Sequence, residues 1–173
     1  LRQGEVGCGT PVVARYAALT AVANKQQVAL MAPTEILARQ HFLSIEKYLK
    51  NSQVRRGLLI GGMPAVKRGA LLHQIASGDM DIVVGTVALV QQDVDFDNLG
   101  LVIIDEQHKF GVHQRAMLRK GKSPHCLVMT ATPIPRTLTM TAFGDLDVSI
   151  IEHCPPGRGE VITRHVHPKD RMA

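Results

Sequence analysis

The sequence is poor in aromatic residues and cysteine, and it has no long apolar run. Its 173 residues include four Phe, two Tyr and no Trp, which argues against a surface that binds bases by aromatic stacking. Cys8, Cys126 and Cys154 are far apart and lack metal-ligand spacing, so we expect reduced thiols in a cytoplasmic protein. No stretch approaches the roughly 20 apolar residues that cross a bilayer, so no membrane partner is expected.

The remaining composition is that of a globular domain with a basic surface. Hydrophobic residues make up 45% and charged residues 20% of the chain, enough for one domain with a sizeable core. Twenty Lys and Arg against fifteen Asp and Glu give a net charge of +5, which favours a polyanionic partner. Since aromatic residues are few, we expect any nucleic acid to be bound through its backbone.

Short apolar runs alternate with helical patterns along the whole chain. This alternation predicts βαβ units and an α/β fold of three layers, helices on both faces of a mainly parallel sheet. We assign residues 1–154 to this domain and residues 155–173 to a linker that begins Pro-Pro-Gly. The predicted strands are residues 27–31, 54–60, 81–85, 99–105, 126–130 and 148–151; the predicted helices are residues 12–24, 35–50, 64–77, 113–119 and 135–143, with a short one from 87.

The most informative stretch is residues 102–108, Val-Ile-Ile-Asp-Glu-Gln-His. Its apolar run predicts a strand buried on both faces, and Asp105 and Glu106 stand at the carboxyl end, where open α/β sheets bind ligands. In nucleotide hydrolases the first such carboxylate holds Mg²⁺, and the second can orient the water that attacks the γ-phosphate. The alternative is a strand followed by an ordinary acidic turn.

A glycine-rich stretch near the start has the spacing of a phosphate-binding loop. The loop needs Lys and then Ser or Thr after its last glycine, but Thr10 and Pro11 stand there. Proline has neither a hydroxyl nor an N–H, and it disfavours helical backbone at the residue before it. An ordinary glycine turn therefore remains open. The candidate phosphate-binding residues are Gly4, Glu5, Val6, Gly7, Cys8, Gly9, Thr10 and Pro11.

Other small polar residues follow the predicted strands and should share the carboxyl edge of the sheet. Backbone N–H groups and hydroxyls at helix starts suit phosphodiester contacts, although each turn alone could be a simple cap. The candidate DNA contacts are Pro33, Thr34, Gly61, Gly85 and Thr86. A further group could link the acidic end to a DNA-binding surface: Thr130, Ala131 and Thr132.

In chain order, the segments GEVGCG, APTEILARQH, GTVALVQQ, IIDEQHKFGVHQR and TATPIPRTL resemble the first RecA-like motor domain of superfamily 2 helicases. The resemblance covers nearly the whole chain and is narrowest to the RecG-type ATP-dependent DNA helicases, which remodel branched and forked DNA. It implies a P-loop NTPase that uses ATP and Mg²⁺. It also implies two further domains in the full protein, a second RecA-like domain and a wedge domain, and the present chain as a fragment.

The resemblance assigns a role to each candidate residue. Asp105 would hold Mg²⁺ through water, Glu106 would activate the attacking water, and Gln107 and His108 would couple the site to the second motor domain. The glycine-rich loop departs from the family at Thr10 and Pro11, so impaired ATP binding is expected. Two alternatives stay open: a degenerate nucleic-acid-binding module that does not hydrolyse ATP, and the domain of a transcription-repair coupling translocase.

Overall fold

The computed structural model of the chain describes residues 2–4, 10–106, 124–130, 147 and 149–151. Within these ranges seven strands form one sheet in the order β3-β4-β2-β5-β6-β1-β7, and all neighbouring strands are parallel. The strands are β1 (Arg2–Gly4), β2 (Gln27–Met31), β3 (Arg56–Leu59), β4 (Ile82–Gly85), β5 (Leu99–Asp105), β6 (His125–Thr130) and β7 (Ser149–Ile151).

Helices cover both faces of this sheet. The described helices are α1 (Thr10–Ala23), α2 (Glu35–Tyr48) and α3 (Ala65–Ala76), with a 3₁₀ turn at Val87–Val90. Buried residues of α1 and α2 pack in one apolar cluster, and buried residues of α3 pack in another. The predicted three-layer arrangement with a parallel sheet is therefore confirmed. None of the helices in the described part of the chain is long and apolar enough to span a membrane.

The central strands explain how the two clusters form. Along β5 the side chains alternate, with Val102 and Ile104 in the cluster beneath α3 and Leu101 and Ile103 in the cluster beneath α1 and α2. A strand that is apolar on both sides can be buried only in the interior of a sheet covered by helices. β5 accordingly lies between β2 and β6.

The predicted bounds of β2 and β5 are confirmed, whereas β3 is four residues long instead of the predicted seven. At the start of β3, the Arg55 backbone N–H donates to the Asp81 carboxylate at 2.7 Å. That side-chain contact replaces a strand contact just before β3 begins. The predicted helices at 113–119 and 135–143, and the predicted linker at 155–173, lie outside the described residues.

Gln27 is a buried polar residue that joins three parts of the fold at the amino edge of the sheet. It is 4% exposed, and its Nε2 donates to the carbonyl oxygens of Ile75 and Met80, both at 2.9 Å. Its Oε1 accepts a hydrogen bond from the Asn98 N–H at 3.0 Å. These contacts tie the start of β2 to the end of α3 and to the segments that precede β4 and β5.

We predict that Gln27→Leu lowers the free energy of unfolding by about 2–4 kcal/mol, because buried carbonyl and N–H groups lose their partners. Urea unfolding followed by circular dichroism measures the change. The matched control is Gln40→Leu on the exposed side of α2, where we expect a change within about 0.5 kcal/mol. Equal unfolding midpoints for Gln27→Leu and the parent chain would contradict this account of Gln27.

Candidate functional site

Asp105 and Glu106 lie at the carboxyl edge of the sheet, at the end of its central strand. Asp105 is the last residue of β5 and is in register with Met129 of β6. The Glu106 N–H donates to the Met129 carbonyl oxygen at 3.0 Å, which extends the contact between the strands by one residue. Both acidic residues are half-buried, so their carboxylates are held by the fold and remain accessible at its edge.

Glu106 has a left-handed backbone, with φ of 51°. A residue other than glycine costs roughly 1–2 kcal/mol in this region, and such strain persists only where surrounding contacts enforce it. Here the hydrogen bond to Met129 fixes the backbone of Glu106 directly after the strand. The extended backbone of β5 therefore ends immediately before the second carboxylate.

His41 of α2 contacts Asp105, a contact that sequence reasoning did not identify. Its Nε2 lies 2.6 Å from Asp105 Oδ2, and Nε2 is the donor because a carboxylate oxygen only accepts. Both side chains are mostly buried, with exposures of 18% and 19%. The available signal was the helical spacing of His41 from Ala38 and Ile45, which places a polar residue on the buried face of α2.

The glycine-rich stretch leads from the same edge of the sheet. Gly4 ends β1, Thr10 and Pro11 are the first two residues of α1, and residues 5–9 lie outside the described part. Proline is accepted in a first helical turn because the N–H there has no partner within the helix. Pro11 is therefore compatible with α1, but neither it nor Thr10 supplies the positive charge that a phosphate-binding lysine provides.

Thr130 lies between the acidic residues at the end of β5 and the glycine-rich stretch that follows β1. It is the last residue of β6 and is in register with Gln3 of β1, while Asp105 is in register with the preceding residue, Met129. Thr130 is 3% exposed. The structure thus places Thr130 beside both strands, whereas the predicted coupling residues Ala131 and Thr132, and the predicted catalytic residues Gln107 and His108, lie outside the described part.

A carboxylate at the end of a strand is a ligand of the kind that Mg²⁺ takes in nucleotide sites. Mg²⁺ in nucleotide sites takes one or two carboxylates and completes its shell with water and phosphate oxygens. Among the described residues there is no group of three or more His, Cys, Asp or Glu that could hold a metal. A single carboxylate at the end of β5 meets the requirement for Mg²⁺ only if phosphates provide further ligands.

The five predicted DNA contacts share the carboxyl edge but differ in exposure. Thr34 and Gly61 are exposed and Pro33 is half-buried, whereas Gly85 and Thr86 are buried. The Thr34 hydroxyl accepts from the Leu37 N–H at 3.3 Å, which caps α2 as predicted. Pro33, Thr34 and Gly61, which we call the rim, are the members that a ligand could reach directly.

Gly85 and Thr86 are buried at this edge, where one permits close packing of two strands and the other begins a turn. A Cβ added at Gly85 would lie 2.2 Å from the Leu59 carbonyl oxygen, so β3 and β4 can pack here only around a glycine. The Thr86 hydroxyl accepts from the Ala88 N–H at 3.5 Å and starts the 3₁₀ turn. Recognising the packing role of Gly85 requires knowing that β3 is its neighbour.

Some of the basic residues that contribute to the net charge of +5 are engaged in ion pairs. Arg68 of α3 donates to both carboxylate oxygens of Asp93, at 3.0 and 2.8 Å, and its hydrogen bonds lower the pKa of Asp93. Arg55 pairs with Asp79 and Asp81. These arginines hold loops in place, so the net charge overstates the positive charge available to a polyanion.

Sequence comparisons connect this arrangement with known proteins. The family model described as DEAD/DEAH box helicase matches residues 1–141. The chain is 54% identical over 168 residues to the ATP-dependent DNA helicase RecG of Haemophilus influenzae, across 94% of this chain and 24% of that protein. It is 52% identical over 167 residues to RecG of Streptococcus pneumoniae, across 96% and 25%. The chain spans about a quarter of the length of these curated relatives.

Solved structures show the same fold. A structure of RecG bound to a three-way DNA junction has a TM-score of 0.78 and 44% identity, across 92% of this chain and 21% of that one. The helicase domain of Hef from Pyrococcus furiosus has a TM-score of 0.66 at 19% identity, across 87% and 34%, and at that identity it shows the fold alone. The RecA-like architecture expected from the sequence is confirmed.

We predict that Gly85→Ala lowers the free energy of unfolding by about 1–3 kcal/mol, since the added methyl group must displace the backbone of β3. Gly69→Ala is the matched control, because a Cβ at Gly69 meets nothing within 4 Å and alanine favours the helix by up to about 1 kcal/mol. Chemical denaturation of both variants measures the difference. A Gly85→Ala chain as stable as the Gly69→Ala chain would refute the packing role.

Proposed function

The chain belongs to the DEAD/DEAH box helicase family and is of the RecG type, and from this premise we propose that it forms the ATP-binding domain of an ATP-dependent DNA helicase or translocase. The DNA substrate would be branched or forked, as in recombination and repair. The observation that carries the proposal is the position of Asp105 and Glu106 at the end of β5. β6 alone separates this strand from β1, which leads into the glycine-rich stretch.

In the proposed site, Asp105 would hold Mg²⁺ through water and Glu106 would orient the attacking water. When bound, Mg²⁺ would neutralise charge on the phosphates of ATP. The half-buried positions of the two residues support these roles, because carboxylates at the edge of the sheet can meet a ligand while the fold restricts their movement. Gln107 and His108 would transmit the state of the site to a second RecA-like domain, and Thr130, Ala131 and Thr132 would link hydrolysis to movement.

The proposed ATP site is weakened at its phosphate end. Gly4 to Gly9 would cradle the phosphates with backbone N–H groups, but Thr10 replaces the lysine and Pro11 replaces the residue whose hydroxyl binds Mg²⁺. A hydrogen bond to a charged group contributes roughly 1.5–3 kcal/mol, so each loss would weaken nucleotide binding by roughly 10- to 150-fold. This difference favours one alternative, a nucleic-acid-binding module that keeps the fold and does not hydrolyse ATP.

We propose that DNA runs along the rim. Thr34 and Gly61 are exposed at the ends of β2 and β3, where backbone N–H groups can meet phosphate oxygens. A Cβ added at Gly61 would lie 3.0 Å from Glu35 Oε1, so a carboxylate borders the same surface and would repel phosphate. Contacts at the rim would therefore come from backbone groups and the Thr34 hydroxyl. Gly85 and Thr86 would act there by shaping the edge.

The rest of the proposed protein lies beyond this domain. Residues 1–154 would form the RecA-like domain and residues 155–173 a linker to a second one. A wedge domain would separate the strands of branched DNA. The length of the curated relatives, about four times that of the chain, supports this organisation.

We predict that Thr10→Lys with Pro11→Thr tightens Mg²⁺-ATP binding at least about tenfold, because a charged donor and a hydroxyl are added at the phosphate end. Calorimetric titration of the parent chain and the double variant measures this. Thr20→Lys, which adds the same charge at an exposed position of α1, should leave ATP affinity unchanged. Equally tight binding in the parent chain and the double variant would show that the loop works without its lysine.

We also predict that Gly61→Glu weakens binding of forked DNA roughly fivefold, since one added carboxylate near a phosphate costs about 1 kcal/mol. Fluorescence anisotropy at several salt concentrations measures the affinity, which should fall with rising salt and depend little on base sequence. Gly69→Glu makes the same charge change on the exposed side of α3. If both variants weaken binding equally, the rim is not the DNA surface.

A further inference from the structure

His41 places a polar side chain on the buried face of α2, where it requires a hydrogen-bond partner. Ala38 and Ile45, three positions before it and four after, are both fully buried in α2, so His41 lies on the same face. A polar group removed from water is unfavourable unless it is hydrogen-bonded, and the partner of His41 is Asp105.

The contact restricts a carboxylate that would otherwise be free to rotate. The terminal torsion of an aspartate has a broad, nearly two-fold energy profile, so the strand fixes where the Asp105 carboxylate stands but not how its plane is turned. The hydrogen bond of 2.6 Å to Oδ2 fixes that plane. His41 holds Oδ2, so Oδ1 is the carboxylate oxygen that the proposed metal site would use.

We propose that His41 is a positioning residue for the metal site: its Nε2–H holds Asp105 Oδ2, so that Oδ1 faces the water shell of Mg²⁺. The proposal rests on the proposed function, because it assumes that Asp105 holds the metal. Residues that orient metal-binding carboxylates from outside the coordination shell typically change metal affinity by about 10–100-fold when they are lost. His41 acts through Asp105 and does not touch nucleotide or metal itself.

The test measures how much Mg²⁺ improves nucleotide binding, as the ratio of the ATP dissociation constants in EDTA and in Mg²⁺. The background is the chain with Thr10→Lys and Pro11→Thr. We expect His41→Leu to reduce this ratio by about tenfold, with affinity in EDTA unchanged within about twofold. A purely structural role would weaken binding equally with and without Mg²⁺, and that result would overturn the proposal.

Conservative variants separate hydrogen bonding from packing. The amide nitrogen of His41→Gln can reach the position of Nε2, so it should retain most of the ratio. The side chain of His41→Asn is polar but too short to reach Asp105, so this variant should behave like His41→Leu. If His41→Leu does not fold, His41→Asn takes its place in the comparison with His41→Gln. A reduced ratio in both His41→Gln and His41→Asn, or in neither of them, would contradict the proposal. The matched control is His73→Leu at an exposed position of α3, which should have no effect.

Asp105→Asn distinguishes failure of the positioning role from failure of the proposed function. If Asp105→Asn reduces the ratio and His41→Leu does not, Asp105 holds the metal without help from His41. If Asp105→Asn leaves the ratio unchanged, or the background chain binds no nucleotide, the proposed function fails and the positioning role falls with it. In the double variant His41→Leu with Asp105→Asn we expect no loss beyond that of Asp105→Asn, because both changes act on one carboxylate.

Discussion

The parallel pairing of β5 with β2 on one side and β6 on the other determines where Asp105, Thr130 and Thr34 lie relative to one another. Parallel strands end at the same edge, so Asp105, Thr130 and Thr34 lie on neighbouring strands or directly after them although they are far apart in sequence. The glycine turn after β3 lies at the same edge, three strands away from β5. The pairing requires apolar residues on both faces of β5, and these residues also build the two cores. Stability and site geometry therefore depend on the same seven-residue strand, and a change that moves β5 would disturb both.

Two halves of the proposed nucleotide site differ in their chemistry. The acidic half retains both carboxylates, a strained backbone at Glu106 and a hydrogen bond that orients Asp105. The phosphate half has glycines and a helix start but no cation at position 10. The fold does not depend on that missing charge, since α1 forms with Pro11 in its first turn. This chain thus keeps the architecture of its family and the carboxylate that we propose to hold the metal, while the proposed loss of nucleotide affinity would arise from positions 10 and 11.

Local patterns carried the sequence predictions that proved right. Continuous apolar runs gave the bounds of β2 and β5, and the hydroxyl of Thr34 indicated the start of α2. Contacts between distant segments could not be predicted in this way. His41 and Asp105 are 64 positions apart, and Gly85 is required by a carbonyl on a strand that starts almost thirty residues earlier. Nor could the sequence show that Arg68 is engaged by Asp93, because that pairing depends on how α3 lies beside the 3₁₀ turn.

Paramagnetic broadening by Mn²⁺ in the presence of ATP tests the central claim that the carboxyl end of β5 is the metal–nucleotide site. Mn²⁺ replaces Mg²⁺ at oxygen ligands, and NMR signals near it broaden. For the chain with Thr10→Lys and Pro11→Thr, we predict that the signals of Asp105, His41 and Thr130 broaden first, while Gln27 at the opposite edge of the sheet stays sharp. Broadening that is equal at both edges, or strongest away from β5, would contradict the account.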